Sequence, residues 1–504
     1  MRLFEILILI TLLLSLINLF FLKKRSGLIH FQYGIMVLIV LCHILFEGTR
    51  WQMLPLYVFT AIIFIISIIS AFRDYNKRIR KASWIKRILR FSGIFVTFLL
   101  LILVSIPPIL FPVFKLPKPS GSFAVGTTTL FFTDTARLDT YSPETNKYRE
   151  LSVRIWYPAS THKNEKRLPY MQADEARYMT SHLKFPPYFL NHFKRVKTDS
   201  YYDSTPQEGQ YPIILYSPSG SMVENTGLFQ ELASNGYIVF CVGHPYWNAF
   251  YYDAHGQPIP FNGDNKYYKA IWDEENSSVV TNIKWELTSA QSPDIKREAQ
   301  NKLNISMPLE VADIRKWSED LSFLLDEFNL RKEAGESIFK NLNTESVGVI
   351  GFSKGGAAAG QFCVSDERCT AGINLSGFMF GDAVNNNFKR PFMIMESVEK
   401  DCPQCTPISQ VLYENAESEA YMVSINGANH GNFTDFSLVF NDFIGLKGSG
   451  VGPINGHRFL QIQNHYVLSF FDQYLKGVSS DLLNGSAPEY PEVIFRTNKI
   501  SVTQ

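Results

Sequence analysis

VGVIGFSKGGAAAG, Val347–Gly360, joins an apolar β-type run to a run of small residues through one serine framed by glycines. The alternation and β-branched content of Ser346–Gly351 predict a strand, and the small residues after Ser353 predict a helix. Gly351 and Gly355 therefore sit where a strand becomes a helix, with Ser353 between them. That is the layout of a nucleophile elbow, a turn so sharp that its flanks tolerate almost no side chain and the serine hydroxyl stands above the sheet. Gly-x-Ser-x-Gly alone is a weak signal, so its surroundings must decide.

A serine hydroxyl is a poor nucleophile and needs a neighbouring base. In strand–elbow–helix hydrolases that base follows the serine in the chain, and of ten histidines only His430, His457 and His465 do so. His457 and His465 fall in or beside a final amphipathic helix. His430 lies in NGANHGNF, a loop directly after the last strand of the series, and is the predicted base. The oxyanion of acyl transfer needs two backbone N–H donors. One is expected from Lys354, the residue after the nucleophile, whose side chain reads as a solvated surface charge. The other is expected from the loop after IILY, in SPSGS, at Gly220.

Around these motifs strands alternate with helices. ELSVRIWYPAS and YPIILYSPSGS read as strands, and FQELASNGYIVFCVGHP as helix, break and strand. VADIRKWSEDLSFLLDEF places Val311, Ile314, Trp317, Leu321, Leu324, Leu325 and Phe328 on one helical stripe. Further strands are expected in TAGINLSGFMF, RPFMIMES and AYMVSINGANH, and a last helix in RFLQIQNHYVLSFFDQYLKG. This is the pattern of an α/β protein with a mostly parallel sheet covered on both faces. The aromatic-rich stretch 246–307 breaks the rhythm and reads as a lid or substrate-facing cap.

Residues 1–114 differ in kind. Four apolar segments, Leu3–Leu22, Leu28–Phe46, Trp51–Phe72 and Phe91–Phe114, each approach the roughly 20 residues a membrane-crossing helix requires. The first loop carries Lys23, Lys24 and Arg25, the second only Arg50, and the third is the basic run RDYNKRIRKASWIKRILR. The positive-inside rule puts the first and third loops in the cytoplasm and the second outside. The expectation is a multi-pass protein of the plasma or inner membrane whose globular part, residues 115–490, lies on the extracytoplasmic side, with 491–504 as a tail. Ser105–Gly121, rich in proline, reads as a non-helical stem. Glu5 and His43 read as isolated polar residues within the spans.

A formal net charge of +1 implies no pull toward nucleic acid. Cys363 and Cys369, and Cys402 and Cys405, are close enough in sequence for local disulfides in an oxidising compartment, whereas Cys241 sits in an apolar strand as packing. A zinc site at Cys402 and Cys405 lacks a second ligand pair. No metal or cofactor is expected, and the sequence does not specify an oligomer.

PKPSGSFAVGTTTLFFTDTAR, ELSVRIWYPAS, YSPSGS, LASNGYIVFCVGHP, GFSKGGAAAG, AGINLSGFMFGD and ANHGNFTDF together resemble, in order, the plasma-type platelet-activating factor acetylhydrolases and their bacterial relatives. The resemblance runs from Pro117 to Gly477. It implies an α/β-hydrolase fold and a calcium-independent carboxylic ester hydrolase, often active on phospholipids with short or oxidised acyl chains. It puts Ser353 on the nucleophile, His430 on the base, and Gly220 and Lys354 on the oxyanion donors. Ser219 and Ser221 stand where the family loop usually has glycines, and Phe352 where histidine is frequent. The family's triad aspartate falls on Ser376, which carries no charge to stabilise an imidazolium; losing a triad aspartate can cost about 10⁴ in turnover. Asp401 and Glu396, around the end of the strand RPFMIMES, are the expected substitutes, with Asp382 a third. The leading expectation is a membrane-anchored esterase or lipase acting through an acyl-enzyme on lipid or other amphiphilic short-chain esters. The alternatives are a catalytically weakened binding or sensor protein, and an acyltransferase using the same site.

Overall fold

The computed structural model describes residues 1–21, 27–74, 84–160, 166–290, 292–398, 413, 416–439 and 450–498. Asp401, Cys402 and Cys405 lie outside the described residues. The chain forms two compact units, one of residues 1–114 with 188–192 and one of 115–187 with 193–504.

The first unit contains helices α1 (Leu3–Phe21), α2 (Gly27–Cys42), α3 (Leu54–Asp74) and α4 (Trp84–Leu110). Leu12, Leu16, Met36, Met53 and Leu56 pack in its interior, while Leu38, Ile62, Phe95, Leu99 and Ile102 face outward. Among the described residues two helical stretches, Trp51–Ile69 and Phe91–Leu110, are long and apolar enough to cross a membrane; the apolar runs of α1 and α2 are shorter. Pro107 and Pro108 do not end α4 where the sequence suggested: each removes one intrahelical N–H donor, yet the helix runs on to Leu110. The carbonyls left at that end find Arg50, which donates Nη2 to the Pro108 carbonyl at 3.0 Å and Nη1 to that of Phe111. Nor are Glu5 and His43 isolated. Arg50 Nε donates to Glu5 Oε1 at 2.7 Å, Arg2 also pairs with Glu5, and His43 Nδ1 lies 2.9 Å from Glu47 Oε2. Glu5, His43 and Glu47 bring their donor atoms within 4.8 Å of one another, but the two guanidiniums on Glu5 make this an ion-paired cluster rather than a cation cage.

The second unit is built on an 11-stranded sheet. Its strands are β1 (Ala124–Leu138), β2 (Tyr148–Ala159), β3 (Arg167–Pro169), β4 (Lys197–Tyr202), β5 (Tyr211–Ser217), β6 (Ile238–Gly243), β9 (Leu342–Phe352), β10 (Cys369–Leu375), β11 (Phe392–Ser397), β12 (Ala420–Ile425) and β13 (Val493–Thr497); β7 (Phe250–Tyr252) and β8 (Pro258–Pro260) form a separate hairpin. The order is β13-β12-β11-β10-β9-β5-β6-β2-β1-β4-β3. From β6 to β12 the strands run parallel, and β2 and β13 flank that block antiparallel. Near-continuous apolar runs in β5, β6 and β12 follow from burial on both faces. The helices Pro308–Glu333 and Lys354–Ser365 cover one face, and Thr226–Ser234 and Gly456–Leu475 the other. The predicted stripe is buried, with Leu321, Leu324, Leu325 and Phe328 packed on Ile213, Leu215, Phe240 and Val349.

The stretch 246–307 is not an irregular excursion. After the hairpin it forms helices Lys266–Glu275, Ser278–Ser289 and Pro293–Ser306, started by the side chains of Asn265, Ser277 and Ser292. Val280, Ile283 and Leu303 of this insertion share a small core with Ala357 of the helix after Ser353.

One buried ionic cluster joins the sheet to the Pro308–Glu333 helix. Arg149 of β2 donates Nε and Nη2 to the two oxygens of Asp320 at 2.7 and 2.6 Å, and Nη1 to Asp139 at 3.1 Å. Both acids are buried, and Arg137 Nη2 also pairs with Asp320 at 3.0 Å, so it is Asp139 whose charge depends on this guanidinium. Arg149→Met should lower unfolding stability by about 3–5 kcal/mol, the cost of leaving a buried carboxylate unpaired, read as a drop in thermal and denaturant midpoints of the purified chain.

Candidate active site

Ser353 stands between β9 and the helix Lys354–Ser365 with φ 55° and ψ −121°. A non-glycine residue there costs on the order of 1–3 kcal/mol and persists only where its surroundings impose it. The surroundings are close backbone approaches. A Cβ on Gly351 would lie 2.0 Å from the Gly355 carbonyl oxygen, and one on Gly355 would lie 1.8 Å from that of Ser217. The Ser353 N–H is tied to the Leu375 carbonyl at 3.0 Å. The strain turns the hydroxyl outward.

His430 follows β12, in the short turn His430–Phe433. Asn432 Oδ1 accepts from the N–H of Asn429 at 2.8 Å and of Gly452 at 2.6 Å, which fixes the loop. His430 Nε2 lies 3.1 Å from Ser353 Oγ. On its other side Nδ1 lies 3.0 Å from Ser376 Oγ. Ser376 follows β10, also in the left-handed region at φ 52°, with its N–H on the Met395 carbonyl at 2.7 Å. The Phe352 ring stacks on the imidazole with centroids 4.7 Å apart. Serine, histidine and serine thus form a continuous hydrogen-bonded line.

Among the described residues no carboxylate hydrogen-bonds to His430. Glu396 is buried at the end of β11 and accepts from Ser424 Oγ at 3.0 Å. Asp382 pairs with Arg315 at 2.7 Å and accepts from Gln361 at 2.8 Å. Asp401 lies outside the described residues. Burial without a facing charge pushes the imidazole down to about 4, its hydrogen bond to Ser376 offsetting only part of that.

The two expected oxyanion donors differ. Lys354 opens its helix, and the first amides of a helix have no intrahelical acceptor. Gly220, by contrast, donates its N–H to Glu224 Oε2 at 2.8 Å. The Lys354 side chain is not a solvated charge. It is buried, with Nζ 2.9 Å from Glu310 and 2.5 Å from Asp313, and 3.5 Å from the centroid of the Trp247 ring. Sequence reading also passed over His244. Its Nε2 lies 2.8 Å from Ser217 Oγ and its Nδ1 3.3 Å from Asp320 Oδ2, while its ring stacks on Trp317. Ser217, His244 and Asp320 repeat the residue types of a catalytic triad but are wholly buried, so they brace the end of β5 instead of meeting a substrate.

A strained serine at a strand–helix turn, with a histidine from the loop after a later strand, is the arrangement of an α/β-hydrolase. Residues 109–486 match the model of the family described as platelet-activating factor acetylhydrolase, isoform II. The chain belongs to this family. It is a carboxylic ester hydrolase. The platelet-activating factor acetylhydrolase of Cavia porcellus is 25% identical over 377 residues, 71% of this chain and 78% of that protein. A probable 1-alkyl-2-acetylglycerophosphocholine esterase of Arthroderma benhamiae is 25% identical over 417 residues, covering 76% and 94%. The structure of a ferulic acid esterase from Streptomyces cinnamoneus, 23% identical, superposes with a TM-score of 0.59 over 76% of this chain and 99% of its own, a likeness of fold.

For this family member the uncharged partner of His430 has two measurable consequences. With His430 acting as the base it must be neutral to accept a proton, so the acid limb of kcat/KM for a short-chain ester should appear only as pH drops through about 4, rather than near 6.5 where imidazole ordinarily titrates. Ser376→Asp places a carboxylate against Nδ1 at a left-handed position that aspartate tolerates. It should raise kcat at least about tenfold and move the acid limb of the profile upward, since a charge would then support the imidazolium.

Proposed function

We propose that the chain is a membrane-anchored serine ester hydrolase working through an acyl-enzyme on Ser353. The observation that carries this is the line Ser353–His430–Ser376 at a strained elbow. In this reading Ser376 Oγ accepts the Nδ1 proton of His430, which leaves Nε2 to take the proton of Ser353 as its oxygen attacks the ester carbonyl. The N–H groups of Lys354 and Gly220 hold the tetrahedral oxyanion. His430 returns the proton to the departing alcohol, and a water activated by the same nitrogen releases the acid.

The names borne by the relatives, acetylhydrolase and alkyl-acetylglycerophosphocholine esterase, support an amphiphilic lipid ester with a short acyl chain as the substrate class. Anchoring rests on the apolar helices of the first unit, above all the stretches Trp51–Ile69 and Phe91–Leu110, and the loop charges support an extracytoplasmic catalytic unit. So does the packing within the first unit. Trp51, before α3, donates its indole N–H to the Phe189 carbonyl at 2.9 Å, and Phe111, after α4, stacks on the Phe189 ring. The second loop and the exit of α4 therefore share an end with residues 188–192, which are drawn from the chain beyond the helices.

Ser376 also favours a second reading, a hydrolase-like binding protein with weakened turnover. The two separate on one experiment. The purified full-length chain should label with a fluorophosphonate and hydrolyse a short-chain ester, and Ser353→Ala should abolish both, with hydrolysis down at least about 10³-fold. Wild-type protein that neither labels nor turns over the ester would sink the enzymatic mechanism and leave the binding reading.

A further inference from the structure

The loop Ser217–Ser221 is held from two sides. Asn248 donates Nδ2 to the Ser219 carbonyl at 3.2 Å, and Ala249 donates its N–H to that of Gly220 at 2.8 Å. On the other side the N–H groups of Ser219, Gly220 and Ser221 converge on one carboxylate, that of Glu224, at 3.1, 2.8 and 3.0 Å. The Tyr216 hydroxyl donates to the same carboxylate at 3.0 Å. Glu224 is buried, and among the described residues no guanidinium or ammonium pairs with it. Consecutive amides aimed at one point are an anion site. Here the anion is part of the chain, and it sits on the loop that leaves the sheet beside the elbow, where Ser217 pairs with Gly351 and its carbonyl crowds Gly355.

We propose that Glu224 is a positioning residue whose carboxylate occupies the Gly220 N–H in the resting enzyme and must release it, on taking up a proton from water, before the oxyanion of acylation can be held there. The inference rests on the reading of Ser353 as nucleophile. Two anions cannot share one donor set, and an ionised Glu224 beside the developing oxyanion would oppose it at low dielectric. Protonation removes both obstacles, because a neutral carboxyl holds backbone amides less strongly than a carboxylate does.

The surroundings make that proton accessible in the neutral range. Burial pushes Glu224 up to about 7, the three amides and Tyr216 holding it lower than burial alone would. The groups facing it are Tyr216 at the end of β5, the Cys241 thiol of β6, and Asp435, whose own N–H donates to the Glu224 carbonyl at 2.7 Å and which is paired with Tyr170. None carries a positive charge, and burial raises Asp435 as well, so the acids favour uptake of a proton over its loss. The active form is the protonated one, so activity should be full below 7 and fall as pH rises through it.

The test is kcat for a short-chain ester between pH 5 and 9, on the full-length chain in detergent, with the rate of fluorophosphonate labelling measured alongside. Wild-type kcat should decline above pH 7, by about tenfold per unit well above the midpoint, with KM changed less than about twofold. Glu224→Gln, neutral at every pH, should remove the decline and exceed wild type at pH 8.5. A wild-type profile that stays flat or rises from pH 6 to 9 overturns the inference, and so does a Glu224→Gln profile that keeps the decline or is lowered equally at all pH values, as a purely structural brace would give. Should Glu224→Gln fail to fold, the wild-type profile alone still decides. Ser353→Ala separates the two levels: if it retains hydrolysis, the nucleophile reading falls; if it is inactive while Glu224→Gln keeps the decline, only the role of Glu224 falls.

Discussion

The second unit is organised around a place where three backbones come closer than any side chain allows. The carbonyl of Ser217 lies against Gly355, the carbonyl of Gly355 against Gly351, and the carbonyl of Ser353 against Gly377. Because β5, β9 and β10 meet there without Cβ atoms between them, Ser353 is driven into a backbone conformation it would not choose, and its hydroxyl has only one direction to take. The helix that starts at Lys354 then runs back across the sheet, and β10 delivers Ser376 beside it. Histidine placement is a separate problem, solved by the side chain of Asn432 within the loop after β12.

Around that point the charges are arranged unusually. The reacting line contains none: the imidazole lies between two hydroxyls and under the Phe352 ring. Ionised groups stand one layer out, in Lys354 with Glu310 and Asp313 and in Arg149 with Asp320, and the carboxyl of Glu224 lies beneath the loop. Each ties a structural element of the site to its neighbour. Among the described residues a proton on His430 has no adjacent counter-charge, which keeps the imidazole neutral over a wide range and would weaken its hold on a proton taken from Ser353 in the proposed reaction.

How far the sequence reveals this depends on the range of the interaction. The buried strands and the stripe from Val311 to Phe328 follow from residue spacing, and the elbow follows from two glycines and a serine at a change of period. The capping residues Asn265, Ser277 and Ser292, with Pro293 at a helix start, were legible signals of the helices in 246–307, masked by the aromatic content between them. Other features were not legible. Lys354 has the composition of a surface residue, and only the tertiary approach of Glu310, Asp313 and Trp247 takes it out of water. Glu224 is four residues from Gly220, and no periodicity marks it as the loop's acceptor. Chemistry favours a carboxylate beside His430, whereas the fold brings the Ser376 hydroxyl to Nδ1. Arg50 acts across more than fifty residues, so the reach of α4 through two prolines could not be read from α4 itself.

The disulfide Cys363–Cys369 joins the end of the helix that begins beside Ser353 to the start of the strand that ends beside Ser376. Ser353 and Ser376 thus sit at the open ends of one covalently closed hairpin of helix and strand. Their spacing is set by those two elements together with the pairing of β9 and β10, which brings the Ser353 N–H onto the Leu375 carbonyl. A chain produced where thiols stay reduced would keep its sheet yet lose this closure, so the redox history of a preparation becomes a variable of its catalytic geometry as much as of its stability.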